Sequence, residues 1–431
     1  MNAILNKMRN IPMSVYLYVL LVIIATSIFW NNSNNSFQND SESLVVSMIA
    51  AGRYDFDIGN RLFGMGRIIS VEGGAWQETY NVYDNPELYD NLITERNQQI
   101  GLQGWVFYLM AWVGIPRPLA AFRLGSSIVL AIVLTSICYE LKKKYGLLFA
   151  SVFFIISITS SWIINFAPNL YWVTFTWFIP MLLGLICLNN INRRRLLYPL
   201  FFLAILIRAA TAYEYITVIM LSSIMFLAVE WVRTIKTDKQ QSKLLFRTIF
   251  MIGIMSLLGF VTTVLIHSYM RGDGNVLNGL NAIYRQDVLR RTFGSAEDFN
   301  EIYANSLNAS IIDVLIIYLR GNFAGILARR LLVLTSAILF FKHIVKRQSL
   351  NAEFWLLVVS FLTCISWFVF GKSHSYIHRH MNYVLWYMGF IQVSTYIVVK
   401  TILQLAFSNS GKQLMTDLFQ TLKTEASVDI K

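Results

Sequence analysis

The run Gly371-Lys372-Ser373-His374-Ser375-Tyr376-Ile377-His378-Arg379-His380 gathers a lysine, an arginine and three of the chain's five histidines within ten residues. Apolar segments flank it on both sides, at 354–370 and 383–399. Charged groups at membrane depth are costly unless they face a cavity or the interface. A compact set of cationic and hydrogen-bonding nitrogens at a membrane surface suits a phosphate or pyrophosphate head group, which accepts several charge-assisted bonds at once. His374, His378 and His380 also carry an HxxxHxH spacing that suits zinc. Lys372 and Arg379 in the same run oppose a further cation. The plain structural alternative is snorkelling of basic side chains to the interface.

Three other constellations carry chemistry. Asp40-Ser41-Glu42 follows the first apolar stretch; a carboxylate there, Asp40 or Glu42, could deprotonate a hydroxyl as general base. Its bland alternative is a helix cap, and Asp55 and Asp57 are rival acids. Arg208 lies close to Tyr213-Glu214-Tyr215, in apolar surroundings where such charges are expensive unless paired or functional. An Arg208–Glu214 ion pair and contact with a ligand are both compatible with that spacing. Pro168-Asn169-Leu170-Tyr171-Trp172 reads as an aromatic belt at the interface, with sugar stacking as its functional alternative.

The elements that must position these residues are membrane helices. Of 431 residues, 56% are apolar and only 14% charged, against roughly a quarter charged in soluble domains. Apolar runs near the length of a bilayer crossing recur along the chain. The expectation is an all-α, polytopic membrane protein of about ten transmembrane helices, at 13–30, 118–140, 146–167, 171–190, 195–209, 212–232, 247–269, 323–343, 353–371 and 382–403. The first is expected to be a retained helix rather than a cleaved signal, because Asn-rich sequence follows it. Cys138, Cys187 and Cys364 are far apart and form no metal or disulfide spacing.

Charge orients the spans. Lys142-Lys143-Lys144, Arg193-Arg194-Arg195, the 233–247 loop and the 342–347 loop fall on one side with Lys7 and Arg9, which the positive-inside bias makes cytoplasmic. The net charge of +12 therefore points to topology and gives no reason to invoke nucleic acid. Long loops at 31–117 and 270–322 fall outside, with His374. Apolar stretches at 43–51, 101–115 and 311–319 are expected to lie along the membrane surface. Residues 1–403 form one membrane domain in this reading, and 404–431 a cytoplasmic tail. There is no GxxxxGK[ST] loop for ATP and no inverted pair of broken helices.

This order of parts resembles the C-type (GT-C) glycosyltransferases, which include protein O-mannosyltransferases and the aminoarabinose transferases of lipid A. Asp40-Ser41-Glu42, an apolar helix and Gly52 are similar to that family's acid-plus-surface-helix opening. The segment 104–114 followed by Ala120-Ala121-Phe122-Arg123-Leu124-Gly125-Ser126-Ser127 is similar to its entry into the second span. Phe166-Ala167-Pro168-Asn169-Leu170-Tyr171 sits where the family has a short loop, though without the arginines often seen there, and Arg208 where many members place a basic residue. The acid motif departs from the family's adjacent Asp-Glu, leaving the base as Asp40 or Glu42.

The resemblance implies an inverting hexosyltransferase in the bacterial cytoplasmic (inner) membrane, with its active site facing the periplasm or cell exterior. Its donor would be a polyprenyl-phosphate-linked sugar and its acceptor a cell-surface glycan or glycolipid. Lys372, His374, His378, Arg379, His380 and Arg208 would bind the donor phosphate; Tyr171, Tyr213 and Glu214 would contact substrate. The resemblance implies no definite cofactor and leaves a divalent cation open. An O-antigen-type polysaccharide polymerase is the rival enzyme, suited by Arg271, Arg285, Arg290, Arg291 and Arg320. A transporter or flippase of lipid-linked sugars is the alternative without bond formation.

Overall fold

The computed structural model describes residues 12–31, 41–59, 61–68, 76–88, 93–344 and 352–407. Its long helices follow the apolar runs. They are α1 (Met13–Trp30), α5 (Pro118–Tyr145), α6 (Leu147–Thr159) with α7 (Ser161–Phe166), α8 (Phe175–Asn189), α9 (Arg194–Thr211), α10 (Ile216–Thr234) and α11 (Lys239–Arg271), then α15 (Phe323–Ile344), α16 (Ala352–Phe370) and α18 (Phe390–Ala406). Six of these, α1, α5, α10, α11, α15 and α16, are long and apolar enough to cross a membrane, and α8 and α9 form a pair bent by 111°. The chain is a multi-pass, helical membrane protein.

The structure redraws several expected spans. The 146–167 segment breaks at Ser160, whose hydroxyl accepts from the Ile163 N–H and caps α7. The 171–190 segment becomes helical only at Phe175, and the 382–403 segment opens as a 3₁₀ turn, Asn382–Tyr387, before α18. A count of ten crossings is therefore finer than helix length alone supports.

Both ends of the bundle are polar, in different ways. At one end acids hold the basic residues that orient the sequence. Glu230 pairs with Lys144 at 3.1 Å and Arg233 at 2.7 Å, Glu140 with Lys143 at 2.7 Å, and Glu353 with Lys342 at 3.0 Å and Lys400 at 2.6 Å. Asn189 donates to Glu140 at 2.7 Å. These contacts gather the ends of α5, α8 and α10, and those of α15, α16 and α18.

The other end carries two layers of non-spanning structure. In the first, α2 (Ser43–Tyr54) is buried from Ser43 through Gly52. The sequence placed this stretch on the membrane surface; instead α4 (Leu102–Trp112) covers it. A Cβ on Gly52 would come 2.3 Å from the Tyr108 carbonyl oxygen, so only glycine permits that approach. It is α4 that meets the surroundings, with Leu109, Met110 and Trp112 exposed, as an interfacial helix would. A short antiparallel hairpin, β1 (Gly66–Ile68) with β2 (Ile93–Glu95), pairs Arg67 with Thr94, and α3 (Trp76–Asp84) lies between its strands in sequence. No period-2 pattern long enough to announce these three-residue strands exists in the sequence.

The second layer runs from α12 (Val276–Ile283) through a π-helical turn, Tyr284–Val288, to α13 (Glu301–Asn308) and α14 (Ile311–Arg320). A Ser310–Asp313 capping box starts α14 where the sequence expected an apolar surface helix. Lys372 fastens this layer down, its ammonium donating to the Leu307 and Ala309 carbonyls at 2.6 Å each, where α13 ends. A cation is favoured there because the last carbonyls of a helix lack partners within it.

The hairpin layer depends on Gly104, where a Cβ would lie 1.6 Å from the Gly64 carbonyl oxygen. Gly104→Ala should lower stability by about 1–3 kcal/mol, as overpacking does. Gly253→Ala, where a Cβ meets nothing within 4 Å in mid-helix, should not. Thermal melting of the two purified variants in one detergent checks this, and equal melting points would contradict the packing described.

Candidate functional site

The site begins with a carboxylate that the sequence cast as a base. Glu42 is fully buried. Its Oε1 accepts from Arg123 Nε at 3.2 Å and from the Leu170 N–H at 3.0 Å; its Oε2 accepts from the Tyr80 hydroxyl at 2.9 Å and from a second Arg123 nitrogen. Four donors from α5, α3 and the 167–174 loop thus converge on one side chain. Burial, then the Glu42 charge, pushes the Tyr80 hydroxyl pKa up. With both oxygens engaged, Glu42 positions its neighbours: Ser41 on one side, and the loop carrying Tyr171 and Trp172 on the other.

That loop is built tightly. Asn169 Oδ1 accepts from the N–H groups of Tyr171 at 3.0 Å and Trp172 at 3.2 Å. Val173 takes φ +38°, uncommon for a β-branched residue. Trp172 stacks on Tyr215, which itself has φ +65° and donates to Asn382 at 2.7 Å. Arg208, fully buried, donates to the Glu214 carbonyl at 2.8 Å, to Thr211 at 3.1 Å and to the Trp172 carbonyl at 3.4 Å. It fixes the backbone on both sides of the site. The Glu214 carboxylate pairs instead with Arg291, at 3.4 Å, so the expected Arg208–Glu214 ion pair is replaced by a backbone contact.

Between these parts lies a cavity of about 590 Å³. Its walls are Ser41, the hairpin residues Arg67 and Glu95–Gln98, Tyr171, Trp172 and Glu214. From the second layer come Arg290, Arg291 and Tyr303, and from α17 (Lys372–Ile377) and the turn after it come His374, Ile377, His378 and Met381. Four arginines and two histidines thus meet two glutamates. Glu95 is occupied, accepting from the N–H groups of Leu62 at 2.8 Å and Phe63 at 2.7 Å. Arg96 donates to Gln98 at 2.9 Å, and Arg290 donates to Tyr303 at 2.9 Å while pairing with Asp287 at 3.4 Å.

Electrostatically the cavity is a cation-rich pocket. Burial and the neighbouring Arg96 both work against the charge on Arg67. Burial, then His378, Arg291 and Arg290, holds His374 well below the usual histidine range. These surroundings favour the neutral imidazole at His374. Burial pushes Tyr171, which accepts from Gln99 at 2.9 Å, up to about 12, with Glu214 adding to the effect. Arg96, Trp172, Glu214, Arg290 and His374 each hold a buried side-chain nitrogen or oxygen that meets no partner among the described residues. Such orphans cost about 1–3 kcal/mol apiece and in native proteins call for an explanation, often functional. An anion accepting from several guanidinium groups would supply the compensating charge.

No protein-family model, curated protein or solved structure matches this chain.

The structure sorts the expected residues. His374, His378, Tyr171 and Glu214 line the cavity. Glu42, Arg208 and Lys372 support it from behind, through the contacts above. Tyr213 turns to His267, with its hydroxyl 2.9 Å from Nδ1, while Nε2 of that ring lies 2.9 Å from the Asn97 carbonyl. Arg379 is exposed, donating to the Tyr376 carbonyl and lying over that ring, and His380 is exposed as well. Neither Arg379 nor His380 lines the cavity. Asp40 lies outside the described residues. Asp55 and Asp57 are not in the lining, and Asp57 caps a turn by accepting from the Gly59 N–H. Among the described residues no group of three His, Cys, Asp or Glu side chains could hold a metal ion.

Sequence reasoning missed Arg67 and Arg96 and left Arg290 and Arg291 to the rival enzyme. Nothing in their spacing marks them, because they converge only after two loops fold onto each other.

The depressed His374 pKa has a sign. The unfolded imidazole titrates near 6.5, so below that pH the unfolded chain binds a proton the folded chain resists, and stability falls. The melting temperature should drop as pH is lowered from about 7.5 to about 5.5, and drop less in His374→Gln. A wild-type profile no steeper than the variant's would contradict the assignment.

Proposed function

We propose that the protein is a membrane glycosyltransferase that moves a sugar from a polyprenyl-phosphate donor to a cell-surface glycan or glycolipid acceptor. The observation that carries this reading is the convergence of Arg67, Arg96, Arg290 and Arg291 on one cavity, at the bundle end opposite the basic loops. Positive-inside bias makes that end extracytoplasmic. A lipid phosphate held there would lie beside the apolar helices that accommodate its tail.

The chemistry follows from the walls. The acceptor hydroxyl oxygen attacks the anomeric carbon, and the bond from that carbon to the phosphate oxygen breaks with inversion. The phosphate leaves with the bonding electron pair, and arginines already in place stabilise its charge without reorganising. The hydroxyl proton goes to a carboxylate. Asp40 is our candidate, because its neighbour Ser41 lines the cavity and Glu42 is held by four donors. Glu42 and Arg208 position this machinery without touching substrate.

One observation favours a second reading. Arg290 and Arg291 come from the long second loop, which an O-antigen-type polymerase acting on polyprenyl-pyrophosphate glycans would also use.

Purified protein in proteoliposomes should transfer radiolabelled sugar from a polyprenyl-phosphate-hexose to a glycolipid acceptor. Asp40→Asn should lower the rate about 10²–10⁴-fold, the usual effect of losing a general base. Arg291→Ala should lower it about 10²–10³-fold, as loss of a preorganised donor does. Chain extension of pyrophosphate-linked glycans, with no use of the monophosphate donor, would establish the polymerase instead. Movement of the lipid without bond formation would establish a transporter.

A further inference from the structure

Phosphate binding accounts for the cavity's arginines but leaves three of its buried residues unexplained. Glu214 is 4% exposed, Trp172 1% and His374 7%. Each lines the cavity, and each has a buried polar atom, Glu214 Oε2, Trp172 Nε1 or His374 Nδ1, with no hydrogen-bond partner among the described residues. None of the three suits an anion. A carboxylate repels phosphate, an indole N–H is one neutral donor, and His374 is kept uncharged by burial and the cations around it. Together they offer an acceptor, a donor and a ring able to do either. Asn97 and Gln98 add neutral amides to the same wall.

We infer that Glu214, Trp172 and His374 form a hydroxyl-recognition subsite for an uncharged sugar ring, next to the arginines that hold the phosphate. Sugar hydroxyls both donate and accept, so one ring satisfies a carboxylate, an indole N–H and an imidazole together. The subsite is pre-shaped from behind: Arg208 holds the backbone at Glu214 and Trp172, and Tyr215 stacks on the indole with planes 10° apart. Arg291, 3.4 Å from Glu214, orients that carboxylate. A sugar carrying its own carboxylate would meet Glu214 with like charge, so the subsite selects neutral rings. This inference rests on the glycosyl-transfer reading of the cavity.

The test measures binding of three singly charged phosphodiesters with the same tail to full-length protein in nanodiscs. They are farnesyl methyl phosphate, farnesyl phosphoglucose and farnesyl phospho-N-acetylglucosamine. At least one sugar-bearing ligand should bind about tenfold or more tighter than the methyl ester, a difference well above measurement scatter. Trp172→Phe, which keeps the ring and removes the N–H, should erase most of that advantage while leaving the methyl ester's affinity within about twofold, and Glu214→Gln, which also releases Arg291, should narrow the ratio between sugar-bearing and methyl-ester affinities. If neither sugar-bearing ligand binds more tightly than the methyl ester, or if both variants weaken all three alike, the subsite is wrong and the phosphate site stands. If none of the three binds wild-type protein, the glycosyl-transfer reading fails with it.

Discussion

The buried Glu42 carboxylate is the contact on which the cavity end of this protein depends. It ties α2 to α5 through Arg123, to α3 through Tyr80, and to the 167–174 loop through the Leu170 N–H. A buried carboxylate is tolerable only when charge and hydrogen bonds replace the water it has lost. Those replacements come from parts of the chain distant in sequence, so they assemble only in this arrangement. The consequence reaches the cavity from two sides. Ser41 precedes Glu42 and Tyr171 follows Leu170, and both line the cavity.

Around that anchor, charge is distributed by role. At the basic end Glu140, Glu230 and Glu353 compensate lysines and an arginine, and the contacts join helix ends. Among the described residues that line the cavity, four arginines meet two glutamates. Arg271 takes up most of Asp287, leaving Arg290 a longer contact with it. Glu95 is committed to backbone N–H groups. Cations gathered in a concave pocket raise the local potential and draw anions. The two ends thus differ in their balance of charge, and the proposed function rests on that difference.

Much of the bundle was legible in the sequence because apolar length and positive loops follow from the energetics of a bilayer. Directions of individual side chains were not. In the histidine run, the i, i+4 pair His374 and His378 shares one face and meets with ring centres 4.4 Å apart. Lys372 starts the same short helix but points to the carbonyls ending α13. Adjacent residues in one short helix therefore split between site and support. Arg123 appeared only within a segment similar to a family pattern, and its partner could not be read from spacing. A hairpin of two three-residue strands brings Arg67 and Arg96 to the cavity, far below the length at which alternation becomes a signal.

A double-mutant cycle between Glu42 and Arg123 tests the anchor most directly, with thermal unfolding of Glu42→Gln, Arg123→Met and the double variant as the readout. Removing one partner of a buried ion pair typically costs about 3–5 kcal/mol, because the other is left uncompensated. The predicted result is that each single variant is strongly destabilised and the double variant loses less than the sum of the two, by a coupling of about 0.5–3 kcal/mol. A Glu42→Gln protein that melts like wild type, with effects adding independently to those of Arg123→Met, would contradict the account and return Glu42 to the role of a free carboxylate.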